Sequence, residues 1–378
     1  MIFELSEEQR MLKDMARNFA VKEIAPFIDE WEENSRFSRE TFRKAASLGM
    51  AGMYVPEEYG GSNLNYFMGV MVIEELARSA RAMNYLAVHN MVTRQIFLNG
   101  TEEQRQKYVL PLAKGDLLAS ICITEPNAGS DINAMLSYAV RKGDDYILNG
   151  TKVFITGGGE SDIYTVLCKT DKTKGLNGMS WFILEKGMDG FTFGKPEKKL
   201  AFNSVPVCQL FFEDCSVPAA NRLGAENEGF KNFVRSINGG RVNVAAEAVG
   251  GSQAALDAAV KYAKERVQFG KPISEFQTIQ HMLADMATEL EAARLLVYQA
   301  AYLLDHNLPA TKQVSMAKRF ATDASMRIAT DAVQILGGYG YMKEYQVERY
   351  FREAKRAQIV EGTNQVQRNL IARELLRD

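Results

Sequence analysis

Two changes of hydrophobic period along the chain predict an α+β fold, mostly α, in three parts. Residues 1–116 read as an N-terminal helical domain, 117–230 as a middle antiparallel domain closed into a small β-barrel, and 231–378 as a C-terminal four-helix bundle. Helical spacing marks both ends, and short β-branched and aromatic runs broken by turns mark the middle. At 378 residues the chain is too long for one ordinary core, so two or three domains are expected.

The N-terminal helices are signalled by their caps. Ser6-Glu7-Glu8-Gln9 is a capping box opening a helix with Leu12, Met15, Ala16 and Phe19 on one face, ending near Pro26. Ser38 caps a second helix carrying Phe42, Ala45 and Ala46. Residues 55–63 form a loop by their Pro and Gly content, and 66–80 is apolar over most of its circumference, which predicts a buried helix. In the middle, 138–156 reads as a strand, a Gly143-Asp144 turn, a second strand, an Asn149-Gly150 turn and a third strand. Further strands are expected at 162–170, 179–186 and 208–215. After Pro218 helical spacing returns from Ile237 onward, and again over about 276–306, 310–336 and 343–357.

Composition narrows the function classes. A net charge of −2 gives no basic excess for nucleic acid. No apolar run reaches the roughly 20 residues of a membrane span, and Met1-Ile2-Phe3 leads into a polar helix without a leader pattern, so a cytoplasmic protein is expected. Cys122, Cys168, Cys208 and Cys215 lack CxxC spacing and fall in expected strands, which reads as buried, reduced thiols. Three histidines without metal-type pairing predict no metal site.

No GxGxxG follows a strand and no P-loop is present. Four other glycine clusters stand at 124–131, 154–162, 238–241 and 334–341. Two are expected at strand ends and two at helix ends, where backbone N–H groups can face an anion or a flat ring. The runs "ITEPNAGSD", "NGTKVFIT", "FEDCSVP", "NGGR", "ERVQFGKPISEFQ", "LADMATELEAARLL", "QILGGYGY" and "VEGTNQVQR" stand in order along the chain. With them the chain resembles the acyl-CoA dehydrogenase family from end to end. The resemblance implies the three-domain fold above, tightly bound FAD, an acyl-CoA substrate, an electron-transferring flavoprotein as acceptor, and a homotetramer built as a dimer of dimers.

Glu361 is the candidate base. Alone, a carboxylate before a helix capped by Thr363 is explained by helix electrostatics. The family's reaction instead needs a base for the α-proton, and in its largest branch that base is a glutamate preceding Gly-Thr or Gly-Ser. The family's second position for the base, before the arginine of "NGGR", is Gly240 here. The resemblance also makes the Glu361 N–H and a flavin ribityl hydroxyl the donors to the thioester oxygen.

By the same resemblance Ile121, Cys122, Ile123, Thr124, Gly129 and Ser130 lie along the flavin ring, with Phe154, Ile155 and Thr156 on its other side. Arg266, Phe276, Gln277 and Gln334, Ile335, Leu336, Gly337 and Gly338 match the adenosine and pyrophosphate end, supplied by a neighbouring subunit. Thr363, Asn364 and Gln365 complete the flavin site. Ser130, Asn238, Gly239, Gly240, Arg241 and Arg373 match CoA contacts, although Ser130 and Arg373 also read as an ordinary turn residue and a surface charge.

Residues 87–91, 157–164 and 199–207 resemble the isobutyryl-CoA dehydrogenase branch and bacterial relatives acting on cyclic acyl-CoAs. The expected substrate is therefore an α-branched or cyclic acyl-CoA. Phe202-Asn203 and Val207-Cys208 depart from the common family pattern behind the pocket. A straight-chain dehydrogenase, a flavin oxidase or monooxygenase, and a non-catalytic helical scaffold are the competing readings.

Overall fold

The computed structural model describes residues 4–79 and 84–377. Helix α1 (Glu7–Glu23) starts at the expected capping box: Gln9 N donates to Ser6 Oγ at 3.2 Å and Ser6 N to Gln9 Oε1 at 3.0 Å. It buries Ala16, Phe19 and Ala20. After α2 (Ile28–Asn34), Ser38 caps α3 (Arg39–Ser47) through Thr41 N, and Phe42, Ala45 and Ala46 go inward.

Helix α4 (Tyr66–Ser79) is buried continuously from Gly69 to Ala77; Ala80, which the sequence assigns to it, lies outside the described residues. Two of its buried residues are carboxylates, and each has a partner. Arg294 and Tyr298 hold Glu74 at 2.9 and 3.0 Å, and Arg17 holds Glu75 at 2.8 Å. Helix α5 (Asn84–Asn99), the short α6 (Glu102–Gln104), a π-helical turn at Arg105–Val109 and α7 (Leu110–Ala113) complete the N-terminal part.

The middle part is one mixed sheet. Its strands are β1 (Ala119–Cys122), β2 (Tyr138–Lys142), β3 (Asp145–Thr156), β4 (Ile163–Lys169), β5 (Met179–Glu185), β6 (Phe191–Phe193), β7 (Val207–Pro218) and β8 (Arg222–Leu223). The order is β6-β7-β3-β2-β4-β5-β8, with β1 on β4. This corrects the expected antiparallel barrel. β1 and β2 both run parallel to β4, and among the described residues no pairing joins β6 to β8.

Asn149-Gly150 is also not a turn: β3 runs through it against β7 with a register shift between Leu148 and Gly150. At Gly150, φ is 146° and a Cβ would lie 2.2 Å from Ser137 Oγ, so the glycine makes a bulge under close packing. β4 and β5 are buried on both faces, which accounts for their unbroken apolar runs. All four cysteines are buried, unpaired thiols on β1, β4 and β7, as expected.

Three long helices, α8 (Gly229–Glu265), α9 (Gln277–Asp305) and α10 (Thr311–Leu336), form the C-terminal bundle, with α11 (Val347–Ala357) and α12 (Asn364–Leu375) packed along α10. A two-strand ribbon, β9 (Val267–Gln268) and β10 (Lys271–Pro272), joins α8 to α9. The glycine cluster at 238–241 is not at a helix end, as its composition suggests, but inside α8. The reason is crowding. A Cβ on Gly239 would lie 2.4 Å from the Tyr66 hydroxyl, and one on Gly250 2.1 Å from Glu74 O, so glycine lets α4 approach α8. One hydrophobic core runs through α1, α3, α4, α8, α9, α10 and α11.

Candidate active site

The turn between α11 and α12 presents Glu361. Its φ is 55° and that of Gly362 is 83°, two left-handed residues in succession. For a glutamate this conformation costs roughly 1–3 kcal/mol and persists only when surroundings enforce it. They do. Arg241 Nε and Gln367 Nε2 each donate to Glu361 O at 3.2 Å, while Lys318 Nζ and Gln367 Nε2 donate to Gly362 O at 2.9 Å. Lys318 also donates to Asn364 Oδ1 at 2.9 Å, and Asn364 Nδ2 donates to Thr322 Oγ1 at 2.9 Å and Asp323 Oδ1 at 2.7 Å.

Thr363, not Glu361, caps α12: its Oγ1 accepts from Val366 N at 3.3 Å. The helix-electrostatic reading of Glu361 thus loses its geometric basis. The carboxylate instead faces Gly240, where a Cβ would stand 3.1 Å from Glu361 Oε2 and 2.9 Å from Met91 Sδ. The two positions that the resemblance offers for a base therefore converge on one spot.

Burial raises the Glu361 pKa above the usual carboxylate range, against the opposing charges of Arg241, Lys318 and Arg356. Burial also lowers Lys318 to about 8, opposed by its attraction to Glu361. Arg241 is lowered for the same reason.

The expected ring-side residues come together around β1 and the end of β3. Val153 N donates to Thr124 O at 2.8 Å, and Ser120 Oγ to Thr156 O at 2.5 Å. Ile121, Ile123 and Thr124 are half-buried there, and Gly129 and Ser130 are exposed. Cys122 and Ile155 are different: their side chains are in the core, so only their backbones are available. Phe154 has φ 58° and leaves 69% of its surface exposed.

Beneath this edge lies a fully buried ion pair that sequence reading missed. Lys152 Nζ donates to Glu125 Oε1 at 2.8 Å and Ile123 O at 3.0 Å, and Glu125 also accepts from Leu136 N and Ser137 N.

Arg266, Phe276, Ile335, Leu336, Gly337 and Gly338 line a separate open cavity of about 610 Å³. Gln277 and Gln334 are exposed and do not line it, and the cavity contains neither Glu361 nor the β1 residues. The chain thus brings the proposed cofactor residues together in two groups.

Among the expected substrate residues, Asn238 and Arg241 are linked (Arg241 Nη1 to Asn238 Oδ1, 3.3 Å), with Arg241 only 8% exposed. Arg373 projects from α12 with 69% of its side chain exposed. Asn364 is buried with both ends of its amide bonded, whereas Gln365 is exposed. Lys318 and Gln367 were not anticipated. A lysine among Ala317, Ala321 and Ala324, on a face of small residues without another charge, was the one available signal.

Comparison with known proteins supplies the class. The N-terminal, middle and C-terminal domain models of acyl-CoA dehydrogenase match residues 6–116, 120–215 and 227–376. The chain belongs to the acyl-CoA dehydrogenase family and is an FAD-dependent oxidoreductase.

Mitochondrial isobutyryl-CoA dehydrogenase of Bos taurus is 45% identical over 376 residues, 99% of this chain and 90% of the relative. Butyryl-CoA dehydrogenase of Megasphaera elsdenii superposes with a TM-score of 0.97 at 43% identity over 100% of both chains. A chain from a study of the electron-transferring flavoprotein of Acidaminococcus fermentans superposes at 0.98 with 49% identity, again over 100% of both.

The residues present fit FAD. The cavity at Arg266 joins apolar walls to a cation, and a Cβ on Gly337 or Gly338 would meet no atom within 4 Å, leaving room beside the backbone. No helix of the described residues is long and apolar enough to cross a membrane, and no group of metal-ligating residues is found among them.

Proposed function

We propose that this enzyme converts a short acyl-CoA thioester to the 2-enoyl-CoA, with Glu361 as the base that removes the α-proton. The carrying observation is the Glu361 carboxylate: raised in pKa, without a capping duty, and facing Gly240, which with Met91 lines a narrow pocket. A base with a raised pKa holds the proton it takes more firmly near neutral pH. Bound FAD supplies the acceptor for the β-hydrogen and its electron pair.

The Glu361 N–H donates to no acceptor among the described residues, which leaves it for the thioester oxygen as charge develops there. Arg241, Lys318 and Gln367 fix that N–H and the carboxylate by holding the carbonyls on either side of Gly362 N. Ile121, Ile123, Thr124, Phe154 and Thr156 would hold the ring, and Arg266, Phe276 and Gly337–Gly338 the adenosine end. Each flavin is then shared between two subunits of a dimer, itself paired into a homotetramer.

The acyl group we assign is α-branched or cyclic. Of the residues that suggested it, only Met91 lines the pocket; His89 and Asn90 instead bond to backbone around α5, and Asn203 and Ser204 to Glu32. The bovine isobutyryl-CoA relative supports this assignment and the butyryl-CoA neighbour favours a straight chain. The Acidaminococcus neighbour supports an electron-transferring flavoprotein as acceptor.

Replacing Glu361 by Gln tests the base directly. Flavin and acyl-CoA binding should survive while anaerobic flavin reduction is lost; near wild-type reduction would place the base elsewhere. A panel of isobutyryl-, 2-methylbutyryl-, cyclohexanecarbonyl- and butyryl-CoA tests the acyl group, and butyryl-CoA outrunning all others would remove the branched assignment.

A further inference from the structure

We propose that Arg356 and Glu247 are positioning residues for the base: they clamp the end of α11 to α8, so that the turn leaving α11 delivers the Glu361 carboxylate to Gly240. This rests on the reading of Glu361 as the base. Arg356 stands in the last turn of α11, and its carbonyl accepts from Ile359 N at 2.9 Å and Val360 N at 3.2 Å. Those two bonds close the turn that leads into Glu361. The guanidinium reaches the other way, where Nη2 donates to both oxygens of Glu247 at 2.9 and 2.8 Å. Glu247 is buried on α8, about two helical turns beyond Gly240 and so on the same face. One side chain thus fixes where the turn starts, against the helix that meets the carboxylate where it ends.

The third side of the clamp comes from the sheet part. The Arg356 guanidinium lies over the Phe202 ring, 4.4 Å from its centroid. Phe202, one of the residues that depart from the common family pattern, is buried with φ 60°. Its loop is held by Glu32 of α2, which accepts from Asn203 N and Ser204 N at 2.9 and 3.0 Å. Arg352 Nη1 holds the same loop by donating to Leu200 O at 2.8 Å. A buried ion pair adds little net stability, because desolvation offsets the attraction. What this pair adds is a fixed direction for the turn and a charge beside the base.

That charge has a definite sign. The charged groups acting on Glu361 are Arg241 from α8, Lys318 from α10 and Arg356 from α11. The other elements at the site bring neutral side chains, Met91 from α5 and Gln367 from α12. Arg241 and Lys318 donate to neutral oxygens, with Asp323 acting on Lys318 from farther off, whereas Arg356 is bonded to a carboxylate. Arg356 therefore favours the ionised base, and Glu247 offsets that effect.

The test follows anaerobic flavin reduction by stopped flow across pH 5–9, with the fastest acyl-CoA of the panel above. Arg356→Met should move the rising limb of the pH profile up by about half a unit or more, and Glu247→Gln should move it down. Arg356→Lys should return part of the way to wild type. Combining Arg356→Met with Glu247→Leu should bring the limb back near its wild-type position. In that double variant kcat should remain roughly 10-fold lower with a smaller change in KM, since the clamp is gone. A brace for stability alone would lower the melting temperature and leave every limb in place. Limbs that stay put, or that move the same way in both single variants, would overturn the proposal, as would a wild-type kcat in the double variant. If Arg356→Met does not fold with Glu247 stranded, Glu247→Gln and the double variant decide alone. Unmoved limbs beside an inert Glu361→Gln remove only this clamp; near wild-type flavin reduction by Glu361→Gln removes the base with it.

Discussion

Glu361 shows how one residue can carry both a proposed function and instability. Its pKa in the folded protein is raised by burial, so the folded state binds its proton more tightly than the unfolded chain does. The stability this contributes is full below the ordinary carboxylate pKa and is lost as pH rises through the raised value. At neutral pH the ionised base is therefore a liability, and Glu361→Gln should melt at a higher temperature than wild type at pH 7, with the difference shrinking toward pH 4. Calorimetry at the two pH values checks this, and an unchanged or lower melting point at pH 7 would contradict it. Turnover should fall by roughly 10²–10⁴ or more in the same variant. In the wild type, kcat/KM should rise with pH along a limb lying above the usual carboxylate range, and stopped-flow flavin reduction across pH 5–9 would show it.

At the scale of elements, the turn between α11 and α12 depends on a helix it does not touch in sequence. Lys318, on α10, reaches Gly362 O and Asn364 Oδ1, 44 and 46 residues away. Lys318→Met should lower kcat by roughly 10-fold or more with a smaller change in KM, since it relaxes the base without removing a substrate contact. Its pKa of about 8, below the ordinary 10.5, adds a stability signature. Between those values the unfolded chain holds more protons, so stability should rise from pH 8 toward 10.5 in wild type and less so in Lys318→Met. Urea titrations at pH 7.5 and 9.5 would separate the two.

The same long reach explains what was legible in the sequence. Ser6, Ser38 and Thr363 cap the helices expected of them, because a cap is a local bond. The position of Glu361 before a glycine was readable from resemblance. Lys318, Gln367 and the Lys152–Glu125 pair were not, because their partners are set by tertiary packing. Asn149-Gly150 and the 238–241 glycines were misread for a related reason. Each answers to a neighbouring side chain, Ser137 or Tyr66, and not to its own local conformation. Buried carboxylates on α4 make the energetic point: Arg294→Met would strand Glu74 with only Tyr298, at a cost of about 3–5 kcal/mol. Chemical denaturation should reveal a loss of that order.

For the whole molecule, the cavity at Arg266 lies apart from Glu361, and if it takes the adenosine end of a neighbour's flavin as proposed, an isolated subunit should not turn over. Arg266→Glu should weaken FAD retention while leaving the Glu361 turn intact, seen as loss of yellow colour on dialysis and a circular dichroism spectrum like wild type. Retention of full flavin would place the pyrophosphate elsewhere. The core shared by α1, α4, α8, α9 and α10 has a further consequence, for synthesis. The entire sheet is encoded between α4 and the helix that covers it. On a ribosome adding roughly 5–20 residues per second, α4 waits on the order of tens of seconds for α8 to emerge. Throughout that interval α4 has α1 beside it, with Arg17 on Glu75, but neither α8 nor α9, and Glu74 still lacks Arg294. The nascent N-terminal third is thus a natural client for holding chaperones, and a chain stalled before Gly229 should accumulate as aggregate where the completed one does not.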